Sequence, residues 1–414
     1  MPRVLLVFLL VSVLLVAACL LTEAYCAHTA SLNHLPYTEL TLDPSDDYAD
    51  FRMFVGRFRH FAQPDFFSPK WGSHFLYPAT VGILSTPFYI FPPPNDPENR
   101  FLGELAFCML VAVIWFRRAL MRRGLPNLSA TLFALIAGFC SYPFYFEFNR
   151  ANMEFYIWAI TGLGVIAFMR DKPWRAATWI GIAGACKFYP FVYLGLLIAR
   201  KQYKQAAWSL FVGALFTLFS LWALTGNIAL SRAQTAAGLD EFRWVYVLHK
   251  RFGEIGIDHS FFGFYKRFAA HIPPPDQLAH QLSIILAVTA VIACIAYFAR
   301  AIKLPVINQV IFLTVAAITL PPVSYDYTLL HLYTPFILMV FLAIDFWKRG
   351  VSLPRGAWAA FICFMLLLAP LNEFVLHGER IAGQLKCLIL LTLAVIALRY
   401  RFISEKVATT AEAV

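Results

Sequence analysis

Residues 4–21 read VLLVFLLVSVLLVAACLL, a run of 18 residues without a charge. A helix needs roughly 18 or more apolar residues to cross the hydrocarbon of a bilayer. Because lipid cannot hydrogen-bond to bare peptide groups, a run that enters it must be helical. This run is long for the apolar part of a cleaved signal peptide, so we expect an uncleaved helix that spans a membrane.

Composition assigns the whole chain to the same class. Of its 414 residues, 60% are hydrophobic and only 14% are charged, and the mean hydropathy is +0.65. A soluble domain carries about 25% charged residues. The charges cluster between long apolar runs and do not alternate with them. The sequence therefore predicts an all-α, polytopic transmembrane helical bundle that forms a single domain over residues 1–414.

Charge and cysteine content argue against several other classes. The net charge is +10, but Lys and Arg collect in the cytoplasmic loops of membrane proteins, which explains the excess without nucleic acid. The eight cysteines include no C-x-x-C pair, so neither a metal site nor a disulfide framework is indicated. We therefore expect membrane lipids as neighbours, and no nucleic-acid partner, metal or cofactor.

Hydropathy and charge together predict the topology. Basic residues follow several apolar runs on one side, as at 117–123 and 170–172, and the positive-inside rule makes that side cytoplasmic. Both termini then lie inside, and two large loops, 23–100 and 226–279, are extracytoplasmic. The predicted spans are 4–22, 101–117, 127–145, 153–169, 205–225, 280–299, 305–320, 329–346, 357–371 and 381–399.

Two apolar stretches do not fit as simple crossings. Residues 79–92 are short and bounded by prolines, so we interpret them as a re-entrant or interfacial helix. Residues 174–199 have basic residues near both ends, with Lys187 and Pro190 between them. Because Pro breaks a helix, we expect a helical hairpin broken near Pro190. Such backbone is tolerated at membrane depth only when it is buried in protein or lines a cavity.

Asp50 is the candidate catalytic residue of the first loop. From Tyr48 onward the apolar pattern predicts an amphipathic helix lying on the membrane, with Asp50 in its first turn. A carboxylate there either favours the helix N-terminus or takes part in catalysis, and the pattern leaves both interpretations open. The apolar face of this helix comprises Phe51, Phe54, Val55 and Phe58.

A polar group lies between the spans 127–145 and 153–169. It contains Glu147, Asn149, Arg150, Asn152 and Glu154. Ionisable residues at membrane depth are costly and indicate a functional site. The alternative is a Glu147–Arg150 ion pair that only fastens the loop.

Lys187 lies in the middle of the broken hairpin, far along the chain from any basic loop. A buried Lys needs a compensating partner. The phosphate of a lipid carrier would serve, and so would Glu147 or Asp50. Snorkelling to the interface is the alternative, but it fits poorly if the hairpin folds back inside the bundle.

The second loop and the region after it hold further candidates. Asp326 precedes the span that contains His331, and we expect both side chains to face one external cavity. The basic cluster of the loop would hold an anionic head group or simply be solvated. It comprises Arg243, Lys250, Arg251, His259, Lys266 and Arg267.

Taken together, the motifs resemble glycosyltransferase family 87, a group with the GT-C fold that includes bacterial polyprenol-phosphate-mannose-dependent mannosyltransferases. The resemblance covers roughly residues 40–345. Its motifs are Asp50-Phe51 with Phe75-Leu76-Tyr77-Pro78, Asn149-Arg150-Ala151-Asn152, the stretch 181–190 (GIAGACKFYP), and Pro322-Val323-Ser324-Tyr325.

The resemblance implies an activity and roles for single residues. It implies that Asp50 is the catalytic base and that the donor is a lipid-phosphate sugar, with no nucleotide sugar. Family members often carry histidines directly after the Pro-Val-Ser-aromatic motif. Here Tyr327 and Thr328 stand at that place, and His331 follows one turn later.

These observations predict an inverting glycosyltransferase of the bacterial cytoplasmic membrane. It would move a hexose, mannose by resemblance, from a polyprenyl-phosphate carrier to a lipid or glycan acceptor at the extracytoplasmic face. Lys187, Arg150 and Arg267 would bind the donor phosphate. A flippase with a charged pathway and a lipid-linked polymerase or ligase are the alternatives. The predicted substrate pocket comprises Tyr77, Glu147, Asn149, Asn152, Asp326 and His331.

Overall fold

A computed structural model describes most of the chain and shows a helical protein. It also contains a short antiparallel pair of strands, each of two residues: Val375–Leu376 (β1) pairs with Glu379–Arg380 (β2). The described residues are 1–28, 50–51, 57, 60–71, 75–84, 97–248, 255–269, 273–369, 375–376 and 379–403.

Sixteen α-helices follow one another in the described ranges. Short 3-10 helices lie at Pro69–Trp71, Tyr189–Tyr193, Ala301–Lys303 and Asp326–Leu332, and a π-helix at Arg243–Leu248. The α-helices are α1 Arg3–His28, α2 Ala79–Leu84, α3 Pro97–Arg122, α4 Asn127–Phe139, α5 Tyr142–Arg150, α6 Glu154–Met169, α7 Pro173–Cys186, α8 Leu194–Ala199, α9 Tyr203–Thr225, α10 Ile228–Phe242, α11 Phe261–Phe268, α12 Pro275–Ala299, α13 Val306–Thr319, α14 Tyr333–Lys348, α15 Arg355–Leu368 and α16 Ala382–Arg399.

The helices confirm an all-α polytopic membrane protein, but fewer of them than predicted are long enough to cross alone. In the described ranges, five helices are long and apolar enough to cross a membrane. Helices α4 and α5 are bent by 48° relative to each other, and they make a sixth span if the pair is counted as one. The predicted spans 153–169, 305–320 and 357–371 correspond to α6, α13 and α15, which are apolar but have 16, 14 and 14 residues. The five are Arg3–Thr22, Tyr203–Thr225, Pro275–Lys303, Asp326–Lys348 and Ala382–Arg399.

Helix α7 confirms the predicted break in the 174–199 stretch. It ends at Cys186, and Lys187 has extended backbone (φ −144°, ψ 145°) before the 3-10 helix that contains Pro190. Helix α7 packs against α9 so closely that a Cβ at Gly181 would overlap the backbone oxygen of Ser209. This close packing holds the end of α7, and with it Lys187, in a fixed position.

The first loop packs into the protein at Phe51. This side chain is fully buried, and its ring stacks on Phe101 of α3 with centroids 4.3 Å apart. The prediction that Phe51 faces lipid is therefore wrong, because a protein ring covers it. The other residues of that apolar face, Phe54, Val55 and Phe58, lie outside the described residues. Of the predicted re-entrant helix, the first part is the short helix α2, and residues 85–92 also lie outside the described residues.

Candidate functional site

The turn between α5 and α6 brings two side chains onto Asp50. Ala151 adopts a left-handed conformation (φ 48°, ψ 51°), which is uncommon for a residue with a Cβ and is often found at functional sites. On either side of it, Arg150 Nη2 donates to Asp50 Oδ1 at 3.1 Å and Asn152 Nδ2 donates to Oδ2 at 2.7 Å. The Asp50 side chain remains 19% exposed, so it is held through both oxygens yet is still open on one side.

Asn152 and Glu147 fix the start of α6. Asn152 Oδ1 accepts from the backbone N–H of Glu154 at 3.0 Å, and Glu147 Oε1 accepts from that of Phe155 at 3.0 Å. These N–H groups have no partner within a helix, so the two side chains complete its first turn. The Nδ2 of Asn152 also donates to the Tyr77 hydroxyl at 3.1 Å. The Oε2 of Glu147 is buried without a hydrogen-bond partner.

Glu154 is the partner of Lys187. Lys187 Nζ donates to Glu154 Oε2, and His331 Nε2 lies 2.8 Å from Oε1 of the same carboxylate. Tyr189 adds a contact of 2.9 Å between its hydroxyl and His331 Nε2. Glu154 is completely buried. The prediction that Glu147 or Asp50 would pair with Lys187 is therefore corrected to Glu154.

Two aromatic rings face the Lys187 ammonium. Its Nζ lies 5.8 Å from the ring centroid of Tyr77 and 5.2 Å from that of Tyr327, within the range of a cation–π contact. Burial, with a smaller effect of the Asp50 charge, raises the pKa of Tyr77 well above its ordinary value. The Tyr77 hydroxyl therefore stays protonated.

These residues form one continuous group, which we call the Asp50 cluster. It contains two cations, Arg150 and Lys187, and each is paired with a carboxylate. Within the part of the chain that the structure describes, His, Cys, Asp and Glu side chains do not gather in groups of three or more that could hold a metal ion. The cluster comprises Asp50, Tyr77, Arg150, Asn152, Glu154, Lys187, Tyr189, Tyr327 and His331.

Asp326 belongs to a second buried group and not to the contacts around His331. Its Oδ1 accepts from Lys386 Nζ at 2.6 Å and lies 3.7 Å from His259 Nδ1. Burial lowers the pKa of His259 to about 3, so this imidazole is neutral at physiological pH. We predicted that Asp326 and His331 would face one cavity. In the structure each side chain has its own partners: Asp326 contacts Lys386 and His259, and His331 contacts Glu154 and Tyr189. A substrate-pocket role for Asp326 stays a prediction.

The other predicted residues lie elsewhere. Arg267 is half-buried on α11, which packs against α12 and α16. Its neighbour Lys266 is buried and donates to the Val247 carbonyl at 3.3 Å. Asn149 is buried on α5. The donor-phosphate role of Arg267 and the pocket role of Asn149 stay predictions.

Sequence reasoning gave no site role to three members of the Asp50 cluster. Glu154, Tyr189 and Tyr327 were not among the predicted site residues. Glu154 offered a signal, because it is an acidic residue at the start of an apolar helix. Tyr189 and Tyr327 offered less, since buried tyrosines are common in any core.

Comparison with known proteins assigns the family. The chain matched no curated protein and no solved structure. The model of glycosyltransferase family 87 matches residues 75–320, which is more than half of the chain. The match includes Tyr77, Arg150, Asn152, Glu154 and Lys187 of the Asp50 cluster. This polytopic membrane protein therefore belongs to glycosyltransferase family 87.

Proposed function

We propose that this membrane glycosyltransferase moves a hexose from a polyprenyl-phosphate carrier to a hydroxyl of a lipid or glycan acceptor. Membership of the family establishes a transferase that uses a sugar donor and an acceptor. The lipid-phosphate donor, the choice of mannose, the extracytoplasmic face and the bacterial cytoplasmic membrane are our proposal. They rest on the resemblance to polyprenol-phosphate-mannose-dependent enzymes and on the charges of the Asp50 cluster.

The position of Asp50 carries the proposal. Arg150 and Asn152 orient its carboxylate, and 19% of the side chain is exposed. In the proposed step, the acceptor hydroxyl passes its proton to this carboxylate while its oxygen attacks the anomeric carbon. The bond from that carbon to the phosphate oxygen breaks, and its electron pair stays on the phosphate. A single displacement of this kind inverts the anomeric configuration.

The cations of the cluster are suited to the leaving phosphate. An ammonium has three N–H donors, so the bond from Lys187 to Glu154 leaves donors for a phosphate oxygen. Fixed positive charge near a developing anion stabilises the transition state, because it needs no reorganisation during the reaction. We assign this role to Lys187, with Arg150 and Arg267 as further contacts. The phosphate itself is a good leaving group.

A donor comparison tests the proposal. Purified protein should transfer mannose from polyprenyl-phosphate mannose to an acceptor lipid, and GDP-mannose should not replace this donor. The anomeric configuration of the product, read by NMR, should be opposite to that of the donor. Transfer from the nucleotide sugar alone, or retention of configuration, would contradict the proposal.

A further inference from the structure

We propose that the buried Lys386–Asp326 ion pair is a positioning device that sets where Tyr327 and His331 stand in the Asp50 cluster. The inference rests on the proposed function of that cluster. Neither residue lies in the range 75–320 that the family model matches. Lys386 is on α16, and its place in the protein is known only from the structure.

The 3-10 helix Asp326–Leu332 connects the two groups of buried polar residues. Its first residue, Asp326, binds Lys386 at 2.6 Å, and its second, Tyr327, lies under the Lys187 ammonium. Its sixth, His331, contacts Glu154 at 2.8 Å. A 3-10 helix of more than three or four residues is uncommon because its hydrogen bonds are poor, and this one has seven. The contacts of Asp326 and His331 therefore add directional restraints to the packing that holds this helix.

Lys386 also touches the other element that supplies the cluster. Its Nζ lies 4.9 Å from the ring centroid of Tyr142, the first residue of α5. The last residue of α5 is Arg150, which binds Asp50. The 3-10 helix Asp326–Leu332 and α5 pack against each other. The Lys386 ammonium thus contacts both the 3-10 helix, which carries His331, and α5, which carries Arg150. The relative position of these two segments decides how far His331 lies from Asp50 and Arg150.

The burial of this pair favours a role in positioning over a role in stability. Lys386 is 3% exposed and Asp326 is 0% exposed. Replacement of a buried ion pair by apolar residues is often neutral or stabilising, because removal of two charges from water is expensive. Such a pair gives directional contacts that an apolar pair lacks. Among the described residues, Asp326 Oδ2 has no hydrogen-bond partner, and the side-chain hydrogen bond of this carboxylate is the one from Lys386 to Oδ1.

The test compares Lys386→Met and Lys386→Arg with a matched control, Arg123→Met. Arg123 forms a 2.8 Å ion pair with Asp345, and about a third of each side chain is exposed. Such pairs contribute little to stability. Hydrogen–deuterium exchange of the peptide 324–333 reports how firmly the 3-10 helix is held, and it needs no substrate. Turnover per folded molecule, with polyprenyl-phosphate mannose as donor, reports its effect on transfer.

Lys386→Met should raise exchange in 324–333 and lower turnover about ten- to a hundredfold, since a displacement of about 1 Å is enough for such losses. Lys386→Arg should recover part of both, and Arg123→Met should change neither. If Lys386→Met does not fold, Lys386→Met with Asp326→Asn removes both charges and should show the same two effects. Unchanged exchange in 324–333, or normal turnover per folded molecule, would overturn the proposal. A wild type that transfers nothing would defeat the proposed function alone, because the exchange result stands without activity.

Discussion

The pair Lys187–Glu154 offers a test that separates donor binding from folding. The three variants are Lys187→Met, Glu154→Gln and the double substitution. Glu154 is 0% exposed and the Lys187 side chain 18% exposed. A single substitution leaves one buried charge without its partner, whereas the double substitution removes both charges and keeps similar side-chain volumes.

The structure gives the expected size of the effect on stability. Removal of one partner from a buried ion pair costs about 3–5 kcal/mol, whereas replacement of both partners is often close to neutral. We therefore expect each single variant to unfold at clearly lower temperature and the double variant to remain within about 1 kcal/mol of the wild type. Melting curves of the purified proteins in one detergent measure this.

Transfer should respond differently, because the double variant still lacks the contact to the donor phosphate. A charge-assisted hydrogen bond is worth about 1.5–3 kcal/mol, which is about ten- to a hundredfold in rate at 1.4 kcal/mol per tenfold. Turnover of the folded double variant should fall by this factor with every acceptor tested. If it recovers both its stability and wild-type turnover, Lys187 has a structural role only and our assignment of the phosphate contact is refuted.

Two further predictions concern packing and topology. Gly181→Leu should lower the stability of folding by about 1–3 kcal/mol, the usual range for overpacking, because its Cβ would meet the backbone of Ser209. The matched control is Gly103→Leu, because a Cβ at Gly103 meets nothing within 4 Å. Equal melting temperatures of the two variants would contradict the argument. In a cysteine-free background, Lys70→Cys should react with an impermeant thiol reagent in intact cells, and Lys172→Cys should react only after permeabilisation. The reverse pattern would overturn the extracytoplasmic placement of the first loop.

Hydropathy predicted the helices well because the signal is local. The predicted span 205–225 nearly coincides with the observed helix Tyr203–Thr225. The break at Lys187 was predicted from Pro190 and from the basic residues near both ends of the stretch 174–199. The number of crossings could not be predicted in the same way. A window of apolar residues does not show the 48° bend between α4 and α5, which is a property of the turn and its packing.

The candidate site was predicted in part for a related reason. Ionisable residues in apolar surroundings are visible in sequence, so Arg150 and Lys187 were singled out, and Asp50 was singled out by its place in the first turn of an amphipathic helix and by the family resemblance. The choice of partner is not visible, because it depends on which helix ends meet in space. Lys187 pairs with Glu154, 33 positions away, and Asp326 with Lys386, 60 positions away.

The central claim is that Asp50 accepts the proton of the acceptor hydroxyl, and Asp50→Asn tests it most directly. The amide keeps the size of the side chain and loses the basic oxygen. General base catalysis contributes about 10²–10⁴-fold, so turnover per folded molecule from polyprenyl-phosphate mannose should fall by that factor. Asp65→Asn, in the same loop and paired with His60 at 3.1 Å, should stay near the wild-type rate. Near wild-type turnover by purified Asp50→Asn would contradict the account.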